Sequence, residues 1–224
     1  MSSNTVLLLV ASPHGFSSTS NSLGQYLLER LKIGGYKTST VHVQTAIRSK
    51  KALTDMLSQV AGCDLLLLAF PLYIDCLPAA LIATLELIVA QRKTTAPSKR
   101  QRLLAIVNNG FPEATQNATA IAICRQFSVE AGFDWVGGLS LGGGGTISGL
   151  KLEEAGYMAR NIRKALCLAA QNLLDEKVLC NTASELMAKP IVPKSLYIFI
   201  ANRGWKKMAK KYGAEKKLYD RYKA

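Results

Sequence analysis

The sequence predicts an α/β fold: a doubly wound, five-stranded parallel sheet with helices on both faces, followed by a basic helical C-terminal extension. Three observations predict it. Strand and helix patterns alternate from the first residues. The strand candidates at 5–11, 64–70 and 102–109 carry continuous apolar runs between polar ends, as strands covered on both faces do. Polar or glycine-bearing loops follow the strands, where open α/β sheets collect their ligand-binding segments.

The first strand, 5–11, opens into the loop Ser12-Pro13-His14-Gly15-Phe16-Ser17-Ser18-Thr19-Ser20-Asn21-Ser22. A helix over 20–33 ends at Gly34-Gly35, glycine being the residue that most readily terminates a helix. A strand at 37–43 and a helix at 49–61 follow. The third strand, 64–70, leads through Pro71-Leu72-Tyr73-Ile74-Asp75 into a helix at 78–92. Residues 93–101 form a polar loop before the fourth strand, 102–109. A helix at 115–131, ended by Gly132, precedes the fifth strand, 135–141, and a last long helix at 152–178. Beyond about 180 the alternation stops. The expected organisation is a domain over 1–180 and an extension over 181–224, with no repeat and no low-complexity tract.

An apolar fraction of 49% suffices for a full core. The five cysteines, Cys63, Cys76, Cys124, Cys167 and Cys180, are odd in number, lack C-x-x-C spacing and sit among apolar neighbours. They read as buried reduced thiols rather than a redox pair or a cluster site. Two histidines, His14 and His42, are too few for a typical zinc site. The N-terminus has neither the basic region nor the apolar length of a signal peptide. The most apolar stretch, 63–90, is interrupted by Asp64, Pro71, Asp75, Pro78 and Glu86, so it reads as no membrane span. A cytoplasmic protein is expected. The sequon Asn117-Ala118-Thr119 has no meaning in that compartment.

Charge is concentrated at one end. Residues 189–224 hold 11 Lys/Arg and 2 Asp/Glu, a balance of +9. The other 188 residues hold 17 and 13, a balance of +4, which leaves no nucleic-acid signature on the body.

The loop at 12–22 carries the most chemistry. It offers hydroxyl donors from Ser12, Ser17, Ser18, Thr19, Ser20 and Ser22 beside the unpaired N–H groups and positive dipole end of a helix. That combination suits a phosphate. The loop has no Lys or Arg, so the anion is held by neutral donors, unlike the lysine-bearing loop of nucleoside triphosphatases. The alternative is a plain N-capped helix after a polar loop. Pro71 to Asp75 brings an aromatic ring and apolar groups to the same crevice. Asn108-Asn109-Gly110-Phe111-Pro112-Glu113 follows the fourth strand, and Gly142 to Gly145 follows the fifth, where glycines let backbone approach a flat ligand. Asp75 reads as the cap of the following helix, and Glu113 as a residue of its helix's first turn.

Two motifs compete. Gly138-Leu139-Ser140-Leu141-Gly142 matches a nucleophile elbow, but a glycine run follows where a helix is needed and both histidines come earlier. Gly144 to Gly149 mimics half a nucleotide loop, with Leu150 where a lysine is required.

Ser12-Pro13 with Ser20-Asn21-Ser22, Pro71-Leu72-Tyr73 with Pro78 and Glu86, Gly110-Phe111-Pro112-Glu113, and Gly142 to Gly145 occur in an order that resembles the flavodoxin-like NAD(P)H-dependent FMN oxidoreductases. The resemblance covers roughly 5–150. It implies a flavodoxin-like sheet of order 2-1-3-4-5 with FMN at its carboxyl edge. It further implies that Ser12, His14, Ser20, Asn21 and Ser22 surround the phosphate. Pro71, Leu72, Tyr73, Ile74, Asn109, Gly110, Phe111, Gly143 and Gly144 would lie near the rest of the cofactor. His14 stands where the family usually has arginine, and the loop here is longer. The implied activity is hydride transfer from NAD(P)H through FMN to a small-molecule acceptor such as a quinone, an azo or nitro compound, or free flavin. No side chain need act as nucleophile or metal ligand. A homo-oligomer, such as a homodimer, is expected. The alternatives are a flavodoxin-type electron carrier, which the basic charge disfavours, and a binding or regulatory module.

In the extension, Tyr197, Ala201, Trp205, Met208 and Tyr212 share one helical face, and Arg203, Lys206, Lys207, Lys210 and Lys211 share the other. The expectation is that the apolar stripe docks on protein, on its own domain or a second subunit. A membrane-surface role comes second.

Overall fold

The computed structural model describes residues 4–147 and 149–220. Ser148 of the glycine-rich segment and Arg221 and Lys223 of the basic extension lie outside the described residues.

The chain runs β1 (Thr5–Val10), α1 (Thr19–Ile33), β2 (Lys37–His42), α2 (Val43–Ala46), α3 (Lys50–Gly62), β3 (Leu65–Pro71) and α4 (Ala79–Thr94). It continues through β4 (Arg102–Asn108), α5 (Ala118–Glu130), β5 (Asp134–Leu141), α6 (Arg160–Leu174), α7 (Asn181–Ala188) and α8 (Lys194–Lys211). The five strands form one all-parallel sheet in the order β2-β1-β3-β4-β5. This is the order the resemblance implies.

Strand alternation divides the apolar runs between two cores. Val6, Leu8 and Val10 of β1, with Leu65, Leu67 and Ala69 of β3, pack in the core shared with α1, α6 and α7. Leu7, Leu9, Leu66, Leu68 and Phe70 face the opposite core, filled from α3, α4 and α5. Both parities being buried explains why β1, β3 and β4 read as unbroken apolar segments.

The glycine stops at 34–35 and 132 are observed. In α1 the N–H of Tyr36 bonds to Leu31 O across Gly35, whose φ is +97°, and in α5 the N–H of Phe133 bonds to Ser128 O across Gly132. The last long helix departs from the expected 152–178. It begins only at Arg160, because Gly156 takes a positive φ of 56° and the preceding residues form turns around the buried anchors Leu152, Ala155 and Ala159. It stops at Leu174, where Glu176 takes the left-handed position and Lys177 N–H returns to Asn172 O.

Asp75 caps no helix: α4 starts after Pro78, and Asp75 sits in a turn of its own. Glu113 precedes the short 3-10 turn Ala114–Asn117 instead of lying in a first helical turn. All five cysteines are free. Cys63 and Cys124 are buried, and burial pushes each thiol up to about 12. Cys76 and Cys180 are half-buried and Cys167 is exposed, against the expectation that all five are buried. The exposure of Cys167 follows from its place on the outer side of amphipathic α6, whose buried stripe is Ile162, Ala165, Leu166, Ala169, Ala170 and Leu173.

Two compact units result. The first ends at Ile191, beyond the expected boundary at 180, and the second begins at Val192. Residues 179–188 belong to the first because Leu179 N–H bonds to Val136 O of β5 at 2.8 Å and α7 buries Ala183 and Met187 completely. The second unit consists of α8 and the chain after it. No helix among the described residues is long and apolar enough to cross a membrane.

Candidate functional site

The carboxyl ends of β1, β3, β4 and β5 deliver four loops to one edge of the sheet, and hydrogen bonds knit them together. The N–H of Leu72 bonds to Asn108 O at 2.8 Å, and that of Asn109 to Leu141 O at 3.1 Å, so pairing continues past the strand ends. Thr19 Oγ1 donates to Gly144 O at 2.8 Å, and Ser20 Oγ donates to Asn108 Oδ1 at 2.7 Å. These two bonds join the first loop to the third and fourth.

A cavity of about 210 Å³ opens between these loops. It is lined by Ser12, His14, Ser18, Thr19, Ser20, Pro71, Leu72, Tyr73, Asn108, Asn109, Gly110 and Gly145, among which there is no carboxylate. Helix α1 points its N-terminus here. Ser18 is its N-cap and accepts the Asn21 N–H, so the helix starts one residue earlier than expected. Ser12 is only 2% exposed, and its Oγ accepts from His14 N–H at 3.3 Å. No described residue takes the Ser12 hydroxyl proton. A buried hydroxyl with an uncommitted donor, at a helix N-terminus and with no acidic neighbour in the lining, has the donor chemistry of an anion site.

Three larger cavities lie elsewhere. The smallest, of about 300 Å³, runs along Thr5, Val6 and the start of β2. Another, of about 450 Å³, sits among the amino ends of the strands, where Arg100 pairs with Asp134 and Arg102 donates to Leu173 O and Lys177 O. The third, of about 530 Å³, is an apolar groove between α4 and α5. Volume alone favours them, but their polar groups are engaged or sparse. The carboxyl-edge cavity has the uncommitted Ser12 hydroxyl and the switch-point position.

The expected site residues separate into two groups. Ser12, His14, Ser20, Pro71, Leu72, Tyr73, Asn109 and Gly110 line the cavity. Asn21, Ser22, Ile74, Phe111, Gly143 and Gly144 do not. Asn21 Nδ2 holds Phe16 O at 3.0 Å, and Ser22 Oγ donates to Leu150 O at 2.7 Å, so both brace the loops from outside. Phe111 is exposed on the adjoining loop.

The glycine run serves mainly the protein's own packing. A Cβ on Gly142 would lie 2.5 Å from Pro112 O, and one on Gly144 would lie 3.1 Å from Asn108 Nδ2. Only Gly145 has open space and also lines the cavity. The nucleophile-elbow reading finds no support in the geometry. Ser140 sits inside β5 opposite Val107, not on a strand-to-helix turn.

Three features were not read from the sequence. Asn117 is fully buried: its Nδ2 donates to Val107 O and Leu141 O, and its Oδ1 accepts from Asn109 Nδ2. Asn109 in turn donates to Glu113 O and accepts from Phe111 N–H. The apparent sequon is thus a clamp on the third and fourth loops; its signal was an asparagine just ahead of an apolar helix.

The second feature is the tight hairpin closed by reciprocal bonds between Tyr73 and Cys76, of 2.9 and 3.0 Å. Its central residues, Ile74 and Asp75, have φ of 46° and 58°. A β-branched residue there is strained, and Ile74 is 98% exposed, so packing does not hold it. No Asn-Gly or Asp-Gly pair announced this turn.

The third is His42, whose ring lies 4.0 Å from that of Phe16, centroid to centroid, and supports the first loop from the end of β2. Neither imidazole nitrogen has a hydrogen-bond partner among the described residues. Burial holds the imidazole below its usual 6.5. The unfolded chain therefore binds the proton more readily, and stability present above 6.5 is lost as pH falls through the folded value. His42→Phe keeps a ring beneath Phe16 and removes the titration. Its gain in urea midpoint is expected to be larger at pH 5.5 than at pH 8; an equal change at both would exclude His42 as a source of acid sensitivity.

No protein-family model matches the chain, and no curated protein sequence matches it. Solved structures do. An NADH:FMN oxidoreductase aligns with a TM-score of 0.59 at 15% identity, covering 87% of this chain and 98% of that one. An FMN-dependent NADH-azoreductase from Bacillus anthracis aligns at 0.57 and 16% identity, covering 76% and 100%. A flavodoxin from Streptococcus pneumoniae aligns at 0.52 and 11% identity, covering 77% and 99%. Together with the strand order, these matches define the class: the chain has the flavodoxin-like fold.

Proposed function

We propose that this protein is an FMN-dependent oxidoreductase that takes reducing equivalents from NAD(P)H and passes them to a small-molecule acceptor such as a quinone, an azo or nitro compound, or free flavin. The observation that carries the reading is the acid-free cavity at the switch point, lined by both the buried, uncommitted Ser12 hydroxyl and the N-terminus of α1. The likeness to an NADH:FMN oxidoreductase and an FMN-dependent azoreductase supports it.

The residues fit a monoester phosphate. Ser12 offers its hydroxyl proton beside the first turn of α1, whose leading N–H groups have no partner within the helix. Ser18, Thr19 and Ser20 are buried around it, with their hydroxyl protons given to Gly15 O, Gly144 O and Asn108 Oδ1. A cavity of about 210 Å³ takes such a group and the start of its attached chain, leaving the ring system to the loops at its rim. There Pro71, Leu72 and Tyr73 on one side and Asn109 and Gly110 on the other supply apolar surface and backbone groups. Bound FMN supplies the hydride and electron chemistry; the protein supplies position and electrostatics. The hairpin at Tyr73–Cys76 and the Asn109–Asn117 clamp hold these loops before any ligand arrives, which lowers the ordering cost of binding.

The test is a flavin titration followed by absorbance, with FMN and riboflavin in parallel, then NADH and NADPH oxidation with a quinone or an azo dye. FMN is expected to bind at least about tenfold tighter than riboflavin, since hydrogen bonds to a charged group contribute about 1.5–3 kcal/mol each. Ser12→Ala should remove most of that preference, while Ser22→Ala, whose hydroxyl is committed to Leu150 O, should not. Equal affinity for FMN and riboflavin would remove the phosphate assignment. Tight FMN binding without nicotinamide oxidation would leave a flavoprotein that is not this enzyme.

A further inference from the structure

The geometry points to α8 as a docking element for an anionic lipid surface, a role separate from the flavin reading. This helix spans 18 residues, Lys194–Lys211, and buries none of them. Tyr197 is half-buried, and the other large apolar side chains are open to solvent, with Phe199 61%, Trp205 63% and Met208 51% exposed. An apolar face of this extent needs something to cover it.

The two halves of the helix differ. Leu196, Tyr197, Ile198, Phe199 and Ile200 surround its N-terminal turn with apolar groups. From Ala201 onward the helix divides: Ala201, Trp205, Met208, Ala209 and Tyr212 fall along one face, and Arg203, Lys206, Lys207, Lys210 and Lys211 along the other. Six basic residues and no acidic residue lie between Lys194 and Lys211.

Charge complementarity selects the occupant. A second copy of the same helix would bring six further positive charges against these, which opposes self-association through this face. A nucleic acid would use the lysines but leave Trp205, Met208 and the Leu196–Ile200 segment uncovered. An anionic bilayer surface uses both faces at once. The apolar stripe enters the boundary between headgroups and acyl chains, Trp205 sits at the level suited to its amphipathic ring, and the lysines meet the lipid phosphates. The helix lies on such a surface and does not span it: it is not apolar enough to cross, and Asn202 and the basic face keep it shallow.

The experiment uses the full chain and two kinds of vesicle, phosphatidylcholine alone and phosphatidylcholine with 30% phosphatidylglycerol. Cosedimentation is measured at low and high salt, with tryptophan emission recorded for the protein and for Trp205→Phe. Binding is expected to the anionic vesicles and to weaken with salt as the charges are screened. A blue shift is expected that Trp205→Phe abolishes and that inorganic phosphate does not reproduce. Reversing four charges (Lys206→Glu, Lys207→Glu, Lys210→Glu and Lys211→Glu) should lower partitioning at least about a hundredfold, given the contribution of each basic residue near an anionic surface. The melting temperature reports whether that variant still folds; Trp205→Phe provides an independent reading if it does not. Equal partitioning to both vesicles, or no partitioning with no shift, would overturn the proposal. So would a dimer mass that Trp205→Ser with Met208→Ser converts to monomer, because the face would then be a subunit contact.

Discussion

Gly142→Ala is expected to destabilise the first compact unit and to lower flavin affinity together, while Gly145→Ala, three residues on, leaves stability unchanged. The reason is steric. An alanine Cβ at 142 would lie 2.5 Å from Pro112 O, 2.8 Å from Ala114 N and 2.9 Å from Glu113 C, all backbone atoms that no rotamer change can clear. The loop at 109–114 would have to withdraw, and it is tied to Gly143 N–H through Phe111 O and to Gly144 N–H through Asn109 O. Overpacking of this kind costs about 1–3 kcal/mol, and more where backbone must move. At Gly145 nothing lies within 4 Å of the added carbon and φ is not in the left-handed region. Urea denaturation and an FMN titration on both variants check the contrast. Equal midpoints and affinities for the two would mean that the glycine run is not a packing surface between the third and fourth loops.

This contrast bears on what the sequence could reveal. The sheet was legible because burial on both faces writes itself as unbroken apolar runs, and the helix stops because glycine alone readily takes the left-handed cap seen at Gly35 and Gly132. The crevice was legible as a set of loops, since ligand segments follow strand ends. Individual roles were less so. A serine in a hydroxyl-rich loop can face the cavity, as Ser12 does, or turn outward, as Ser22 does toward Leu150 O, and composition treats the two alike. Glycines 142 to 145 suggested room for a flat ligand, whereas two of the four are needed by the protein's own backbone and side chains. The roles of Asn117 and His42 were not legible because each acts through partners distant in sequence: Asn117 binds Val107 and Leu141, and His42 packs its ring tilted against Phe16. The first turn of α6 was misplaced because Gly156 interrupts a pattern that otherwise continues.

Asn117→Asp is expected to be the more damaging of two substitutions at the buried clamp, although it changes the fewest atoms. Asn117 is fully buried and makes three hydrogen bonds, donating to Val107 O and Leu141 O and accepting from Asn109 Nδ2. Asn117→Ala removes all three and leaves buried groups without that partner, a loss of about 3 kcal/mol. Asn117→Asp keeps the acceptor for Asn109 but turns an oxygen toward two carbonyl oxygens. Burial and those neighbours both disfavour the charged carboxylate, so its folded pKa rises above the ordinary value near 4. A raised carboxyl pKa gives stability that is present below the unfolded value and lost as pH rises through the folded one. The aspartate variant should therefore be less stable than the alanine variant at pH 7.5. It should recover toward it at pH 5, where a protonated carboxyl can donate to one carbonyl. The ends of β4 and β5 converge on this residue, and so do the loops that frame the proposed flavin site. FMN affinity should accordingly follow the same order, wild type above Asn117→Ala above Asn117→Asp at pH 7.5, with the gap between the variants narrowing in acid. Thermal melts and FMN titrations at the two pH values measure both orders. An aspartate variant that matches the wild type at pH 7.5 would show that the Asn117 amide donors do not hold the strand ends.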